Sequence, residues 1–302
     1  MYTDLEWIFP MPLSNHNIQS LMNYSNMKQC KVAAIMTAAI MTIPIFNSCN
    51  TDKDEPKMPV TPDEPTQTNP IKPAHYDGLE NVTIPKGLTS QIKEYTGFTL
   101  SFNKDNRTPN YVAWELLGSE VSNEVSRTDN FWQDAEITGC TKHSDYTGSG
   151  YDRGHMCPAA DQKWSADAMN DCFVMANMCP QLHDLNAGAW ETLESKERTW
   201  AKRDSAILII AGPIHTEDDT YIEKSKVRVP SAFFKVLLAP YLDEPRGIAF
   251  VYPHMKCSGN MQDYATTIDE VEKITGFDFF ASLPDDIEKK VESTFSFTDW
   301  NR

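Results

Sequence analysis

The pattern of apolar and polar positions from about residue 76 onward predicts a series of strands. Residues 98–102 alternate as a half-buried strand does, residues 103–109 are rich in turn formers, and residues 111–117 are predicted to form the returning strand. The continuous apolar run at 206–211, bounded by Gly212 and Pro213, predicts a central strand. Residues 227–238 and 248–252 predict further strands, and residues 172–177 a short buried one.

Helical spacing is found in two parts of the same region. Trp190, Leu193 and Trp200 recur at helical intervals, which predicts a helix that opens at residues 185–186. Thr267 with a glutamate three residues later is typical of a capped helix start, and Gly276 is typical of its end. Residues 282–284 are predicted to begin a last helix that runs to about residue 295. Strands and helices that alternate in this way predict one domain of mixed α/β class, over residues 76–302.

The chain before residue 76 has a different composition. Residues 1–26 contain no lysine or arginine and are predicted to be an upstream start artefact, with Met27 as the initiator. A basic stretch, then an apolar run at 32–46, then Ser48-Cys49 and a polar stretch resemble a bacterial lipoprotein signal at 27–49, with Cys49 as the lipid-bearing residue. The apolar run is too short and interrupted for a membrane span. Residues 50–75 are rich in proline and predict an extended tether.

The residues with the clearest chemistry are concentrated at 151–200. Asp152-Arg153-Gly154-His155 place an acid, a guanidinium, a glycine and an imidazole in four consecutive positions. Neutral imidazole titrates near neutral pH, so His155 is predicted to be a general base. Arg153 offers five hydrogen-bond donors to a phosphate. The carboxylate of Asp152 would repel a phosphate, so Asp152 is predicted to be structural.

Three further residues complete this set: Asn186, Glu194 and Arg198. The amide oxygen of Asn186 suits a hard divalent cation, and Mg²⁺ keeps several waters, so one protein ligand is sufficient. A general base, a cation ligand and two arginines within fifty residues fit the hydrolysis of a phosphodiester. The alternatives are a structural histidine at 155, helix capping by Asn186, and an i,i+4 pair between Glu194 and Arg198 worth a few tenths of a kcal/mol.

The order and spacing of these motifs resemble the DNA/RNA non-specific endonucleases, the ββα-metal nucleases. The matching segments are DRGH at 152–155, PAAD at 158–161, NMCPQ at 177–181, NAGAW at 186–190 and Leu193-Glu194. The resemblance implies a ββα-metal core on a central, largely antiparallel sheet flanked by helices. It also implies Mg²⁺-dependent cleavage of DNA and RNA without sequence preference, to 5′-phosphate and 3′-hydroxyl ends. Mn²⁺ or another divalent cation would serve in place of Mg²⁺.

The resemblance also implies roles for individual residues. His155 is the general base and Asn186 the metal ligand, in agreement with their chemistry. Arg153 binds phosphate in the catalytic set, and Glu194 orders metal-bound water. At the remaining positions, Asn177 supports the catalytic set through hydrogen bonds, while Arg127 and Arg198 bind substrate phosphates.

The formal net charge of −16 is unusual for a protein that binds nucleic acid, because lysine and arginine normally neutralise the phosphates. A local basic cluster matters more than the sum. We expect such a cluster around the site, from Arg127, Arg153, Lys163, Lys196, Arg198, Lys202 and Arg203. The acidic remainder would also keep an exported protein soluble.

Seven cysteines are present, of which two belong to the predicted signal. The others are Cys140, Cys157, Cys172, Cys179 and Cys257. Because the signal predicts export to an oxidising compartment, one or two disulfides are expected among them.

The function predicted from the sequence is therefore a lipid-anchored, exported endonuclease, facing the periplasm or the cell surface, that touches the membrane only through its anchor. One alternative is a non-catalytic lipoprotein of the same fold that binds nucleic acid or a surface partner. Another is a phosphodiesterase for small nucleotides. The sequence does not predict an oligomeric state.

Overall fold

The computed structural model describes residues 76–121 and 124–302. The predicted signal with Cys49, the residues before it and the proline-rich tether lie outside the described residues. Within the described ranges, no helix has the length and apolar character needed to cross a membrane.

The described residues form eleven strands. In chain order these are β1 Gln91–Tyr95, β2 Phe98–Asn103, β3 Thr108–Leu117, β4 Asp152–His155, β5 Met178–Gln181, β6 Ala206–Ile214, β7 Tyr221–Ile222, β8 Val227–Arg228, β9 Ala232–Ala239, β10 Arg246–Pro253 and β11 Ala265–Thr266. Seven of them form one sheet in the order β1-β2-β3-β6-β9-β10-β11. Every neighbouring pair in this sheet is antiparallel, which confirms the predicted sheet class.

Five α-helices are found among the described residues. They are α1 Ala166–Cys172, α2 Glu191–Asp204, α3 Ile268–Thr275, α4 Asp285–Ser293 and α5 Phe297–Trp300. Tight single turns occur at His143–Asp145, Ala159–Asp161, Met175–Asn177 and Met261–Tyr264. A wider turn, Leu185–Trp190, leads directly into α2.

The middle strand β6 shows that the sheet is covered on both faces. All nine of its residues are buried, and it pairs with β3 on one side and β9 on the other. Successive side chains alternate, so Ile207 and Ile209 enter one core while Leu208 and Ile210 enter the other. Burial of each such side chain contributes about 1.5–3 kcal/mol.

The two cores have different partners. On one face, Ile268 and Val271 of α3 and Val291 of α4 pack on the sheet. On the other face, Trp190 and Trp200 pack on the sheet with the segment that carries the DRGH motif. Helices on both sides of one antiparallel sheet give the mixed α/β architecture that the sequence predicted.

Several local predictions are confirmed. The predicted hairpin of β2 and β3 forms, although β3 begins at Thr108, earlier than the predicted residue 111. Thr267 caps α3 by accepting a hydrogen bond from the backbone N–H of Glu270 at 3.3 Å. Gly276 ends that helix in the left-handed region, at φ 72°, where glycine has no steric penalty.

Other boundaries differ from the prediction. Residues 172–177 are buried but contain the end of α1 and a tight turn, because a short apolar run does not distinguish strand from helix. The predicted strand at 227–238 divides into β8 and β9 around Pro230, which has no N–H to donate. Strand β6 continues past Gly212 and Pro213 to Ile214. The last long helix, α4, ends at Ser293 rather than near residue 295.

Candidate active site

The DRGH motif forms the first strand of a small ββα unit. Strand β4 pairs antiparallel with β5, with Gly154 opposite Cys179, and the chain then passes through the wide turn into α2. A Cβ atom at Gly154 would lie 2.2 Å from Oε1 of Gln181. Any residue with a Cβ atom at this position would therefore displace the buried side chain of Gln181.

His155 ends β4 and is buried, with 9% of its surface exposed. Its ring has a hydrogen bond with the backbone of Arg153. The other ring nitrogen, Nε2, is buried and has no hydrogen-bond partner among the described residues. Since an unpaired buried polar atom costs about 1–3 kcal/mol, a structural histidine would not normally keep one. The geometry leaves Nε2 available to accept a proton.

Two stacked arginines flank His155 across a pair of phenylalanines. The guanidinium of Arg127 lies 4.9 Å from the ring centre of Phe173, and that of Arg153 lies 5.0 Å from the ring centre of Phe131. The rings of His155 and Phe173 are 5.0 Å apart and edge to face. These contacts hold both guanidinium groups beside the imidazole. The two phenylalanines were not predicted from the sequence, although Phe131 lies only four residues after Arg127.

This environment keeps the imidazole neutral. Burial, together with the positive charges of Arg127 and Arg153, lowers the pKa of His155 to about 3, while Asp129 opposes the shift. Arg127 donates to Asp129 at 2.6 Å, which places that carboxylate close to the guanidinium. A neutral ring near physiological pH is the form that accepts a proton.

Asn186 lies in the wide turn, where Asp152 fixes its side chain. Nδ2 of Asn186 donates to Oδ2 of Asp152 at 2.9 Å, and Nδ1 of His183 lies 2.9 Å from the same oxygen. The hydrogen bond of Nδ2 leaves Oδ1 of Asn186 without a donor among the described residues. The hydrogen bond that the Asn186 side chain forms among the described residues is to Asp152, and none is formed to the backbone of the turn. One amide oxygen held in place is a suitable donor for a hard cation that keeps its own waters.

Glu194 lies on α2 and is buried beside a second glutamate and a lysine. Nζ of Lys235 is 2.9 Å from Oε2 of Glu197 and 3.8 Å from Oε1 of Glu194. Nζ of Lys235 also lies 4.5 Å from the ring centre of Trp190. Burial raises the pKa of Glu194 to about 8; Lys235 opposes this shift and Glu197 adds to it.

Lys235 was not predicted to belong to the site. It is completely buried, on β9, between apolar neighbours in the sequence AFFKVLLA. A single lysine in an otherwise apolar strand was a signal in itself, because a buried ammonium requires a partner.

Arg198 pairs with an aspartate of the PAAD segment rather than with Glu194. One guanidinium nitrogen donates to Oδ1 of Asp161 at 2.9 Å and another to Oγ of Ser195 at 3.0 Å. Asp161 is fully buried and also accepts from Nε1 of Trp114 at 3.1 Å. The alternative i,i+4 pair of Arg198 with Glu194 is not formed.

Asn177 is buried, and all its polar side-chain atoms bond to the backbone. Oδ1 accepts from the N–H of Cys157, and Nδ2 donates to the carbonyls of Cys157 and Cys172, each at 2.9 Å. These bonds fix the chain directly after His155. Asn177 therefore has no free group for substrate, and its place in the predicted catalytic set is that of a positioning residue.

The expected basic cluster is brought together only in part. Lys163, Arg198 and Lys202 line a groove of about 500 Å³ beside α2, while Arg127 and Arg153 flank His155. Two other predicted members are engaged elsewhere: Lys196 donates to Asn301 and Arg203 pairs with Asp204.

The expected disulfides are absent among the five described cysteines, all of which are free thiols. Four of them, Cys140, Cys157, Cys172 and Cys179, are buried in the core as small apolar side chains. Burial raises the pKa of the Cys172 thiol to about 12 and that of Cys140 to about 11, so neither is a reactive thiolate.

Comparisons with known proteins support the fold and the class of protein. The family model described as DNA/RNA non-specific endonuclease matches residues 75–286. A nuclease of Nostoc sp. is 33% identical over 211 residues, 65% of this chain and 75% of its own. Mitochondrial nuclease EXOG of Xenopus laevis is 31% identical over 253 residues, 78% of this chain and 68% of its own. A chain from the crystal structure of an EndoG/EndoGI complex superposes with a TM-score of 0.63 and 26% identity, covering 68% of this chain and 91% of that one.

The fold, the ββα unit and these relatives define a hydrolytic nuclease. The chain belongs to the DNA/RNA non-specific endonuclease family.

Proposed function

We propose that this nuclease is a Mg²⁺-dependent endonuclease that cleaves DNA and RNA without sequence preference, with His155 as its general base. The observation that carries the proposal is the buried, unpaired Nε2 of His155 between the guanidinium groups of Arg127 and Arg153. It combines a proton acceptor with two phosphate-binding groups at one place.

His155 takes the proton of the attacking water. Because its backbone hydrogen bond with Arg153 leaves Nε2 as the unprotonated nitrogen, the ring is already in the tautomer that a base requires. Its low pKa keeps it in this form, although a base so weak gains strength only as the phosphate group brings negative charge close to it.

The two arginines bind the phosphate and offset the charge that develops on it. Stacking on Phe131 and Phe173 restricts both guanidinium groups before substrate arrives, so less side-chain entropy is lost on binding. Nε of Arg153 is buried without a partner among the described residues, so a phosphate oxygen would give this arginine the acceptors it lacks.

A divalent cation would be held by Oδ1 of Asn186, with water and phosphate oxygens as its other ligands. Such a cation supplies charge stabilisation to the phosphate and to the 3′ leaving oxygen. Asp152 keeps the amide in the orientation that exposes Oδ1. Glu194 orders water at this place, and Lys235 lowers the free energy of its ionised form.

The absence of sequence preference follows from the kind of group that the site offers. Guanidinium groups, an amide oxygen and an imidazole bind phosphate, cation and water, none of which carries base identity. The groove lined by Lys163, Arg198 and Lys202 beside α2 offers further cations for phosphate groups.

We also propose that the chain is exported and anchored by a lipid on Cys49, with residues 27–49 as the signal and 50–75 as the tether. The order of basic, apolar and small residues before Cys49 supports this proposal. Mass spectrometry of the membrane fraction would detect the lipid on an N-terminal Cys49. A mature chain that retains residues before Cys49, without lipid, would contradict the proposal.

The function is tested with supercoiled plasmid and a structured RNA, using the full chain with Mg²⁺ or with EDTA. We expect nicking in Mg²⁺ only, and products that are ligated without prior phosphorylation because their 5′ ends carry phosphate. Asn186→Ala should lose cleavage, whereas Asn170→Ala, an exposed asparagine on α1, should not.

The other outcomes separate the alternatives. Binding of nucleic acid by a folded protein without cleavage, across several divalent cations, would identify a non-catalytic binding lipoprotein. Cleavage of dinucleotides but not of plasmid would identify a phosphodiesterase for small nucleotides.

A further inference from the structure

Three carboxylates meet on the face of the sheet that lies opposite the ββα unit. Asp269 and Glu272 are one turn apart on α3, and Glu292 lies on α4. One carboxyl oxygen from each lies within 4.8 Å of those of the other two. Two oxygens that are each about 2.4 Å from one ion lie at most about 4.8 Å apart, so the spacing allows a shared cation.

No basic side chain compensates these carboxylates. Among the described residues, none of the three forms an ion pair with a Lys, Arg or His nitrogen within 4.0 Å. On the same two helices, Lys273 pairs with Glu270 at 2.7 Å and Lys290 pairs with Glu244 at 3.1 Å. The charges that act most strongly on Glu292 are those of Asp269, Glu272, Asp278 and Glu288, which are all negative.

Glu292 provides a second observation, independent of the spacing, that points to a ligand at this cluster. Only 7% of its surface is exposed, and its Oε1 is buried without a hydrogen-bond partner among the described residues. Glu272, in contrast, accepts from the backbone N–H of Phe279 at 2.9 Å. A buried carboxylate without donor or counter-charge is costly, and native structures rarely keep one without an ion or water. Burial and the surrounding carboxylates raise the pKa of Glu292 to about 9.

We propose that Asp269, Glu272 and Glu292 bind a calcium-type divalent cation that joins α3 to α4. Calcium accepts several carboxylates, singly or in pairs, with flexible geometry, whereas magnesium requires a near-octahedral arrangement and keeps most of its waters. Three carboxylates from two separate helices provide the several carboxylate ligands that suit calcium. The cation stabilises the fold and takes no part in cleavage, because α3 and α4 pack on the other face of the sheet from His155.

The test uses the full chain with Asn186→Ala, so that the proposed catalytic cation is removed from the comparison. Thermal unfolding is followed in EDTA, then in CaCl₂, MgCl₂ or NaCl at equal ionic strength. At a calcium concentration a hundredfold above Kd, we expect Tm to rise by about 5 °C or more, with a smaller rise in MgCl₂ and none in NaCl. Calorimetric titration should show one bound calcium per chain.

Variants then locate the site. Glu292→Gln and Asp269→Asn, each added to Asn186→Ala, should abolish the calcium-dependent rise in Tm and the calorimetric signal. Glu217→Gln removes a similar charge from an exposed loop and should leave both unchanged. The proposal is overturned if calcium produces no rise in Tm, or if the rise is equal in the Glu292→Gln variant. Because Asn186→Ala is present throughout, neither result depends on whether the protein cleaves DNA.

Discussion

The two faces of the central sheet each carry a group of three carboxylates, and the two groups differ in how their charge is compensated. The paired cluster consists of Asp161, Glu194 and Glu197, with Lys235 and Arg198 as its cations. The unpaired cluster consists of Asp269, Glu272 and Glu292, without a cation among the described residues.

The difference shows what each cluster requires from outside the chain. In the paired cluster, Lys235 and Arg198 lower the pKa of Glu194 against the effect of burial, although the net shift is still upward, to about 8. In the unpaired cluster the charges that act most strongly on Glu292 are all negative and raise its pKa further. In the first cluster the chain's own cations reduce the cost of ionising the carboxylates, whereas the second needs a cation or a proton from solution.

The largest expected effect comes from making the paired cluster resemble the unpaired one. Lys235→Met would leave Glu194 and Glu197 buried without their cation, and should destabilise the protein by about 3–5 kcal/mol in urea unfolding. The matched control is Lys235→Met combined with Glu197→Gln, which removes both members of the 2.9 Å pair and should recover most of that loss. A loss below about 1 kcal/mol in the single variant would show that the pair is not needed.

Removal of a carboxylate from the unpaired cluster should instead stabilise the protein. With a pKa of about 9, Glu292 must take up a proton when the protein folds at pH 7.5 without a cation. Glu292→Gln removes that cost, so in EDTA at pH 7.5 it should stabilise the protein by about 1 kcal/mol. For a domain of this size, Tm would rise by about 2–4 °C. In calcium the same variant should be less stable than the wild type, because it has lost the ion. Destabilisation in EDTA as well would mean that Glu292 is compensated by a contact outside the unpaired cluster.

A smaller effect should distinguish the two faces in substrate binding. Lys202→Gln, in the groove beside α2, should weaken DNA binding and reduce the slope of log K against log salt by about one unit. Lys289→Gln, on α4 at the opposite face, is the control and should leave the slope unchanged. Equal slopes for both variants would remove the groove from the proposed path of the nucleic acid.

The smallest effect is a change in titration at the active face. Arg127→Gln removes a positive charge that lowers the pKa of His155 below its usual 6.5, so the pKa should rise from about 3 toward that value. Since the base must be neutral, the acid limb of kcat/KM against pH should move to higher pH. Protein NMR of the imidazole measures the shift, and Lys289→Gln is again the control. A pKa that stays constant or falls would contradict the assigned effect of Arg127.

The sequence predicted the parts of this molecule that depend on local pattern. The strands and the helix after residue 185 are found where periodicity predicted them. The antiparallel sheet and the ββα unit are those that the resemblance to the nuclease family implied. The prediction of a strand at 172–177 was wrong. Apolar residues alone indicated that this segment is buried, but they did not indicate its conformation.

The contacts that the sequence did not predict join distant positions. Lys235 is 38 residues from Glu197, and Arg198 is 37 residues from Asp161, so neither pair follows from helical or strand spacing. The predicted phosphate-binding role of Arg198 did not include its bond to a buried aspartate. The unpaired cluster likewise depends on how α3 and α4 pack.

The most direct test of the active face is single-turnover cleavage of supercoiled plasmid by the wild type and by His155→Ala. If Nε2 of His155 is the general base, the variant should bind DNA, melt close to the wild-type temperature and cleave about 10²–10⁴-fold more slowly. Asn170→Ala should cleave at the wild-type rate. A folded His155→Ala protein that cleaves within about tenfold of the wild-type rate would contradict the assignment and require another proton acceptor.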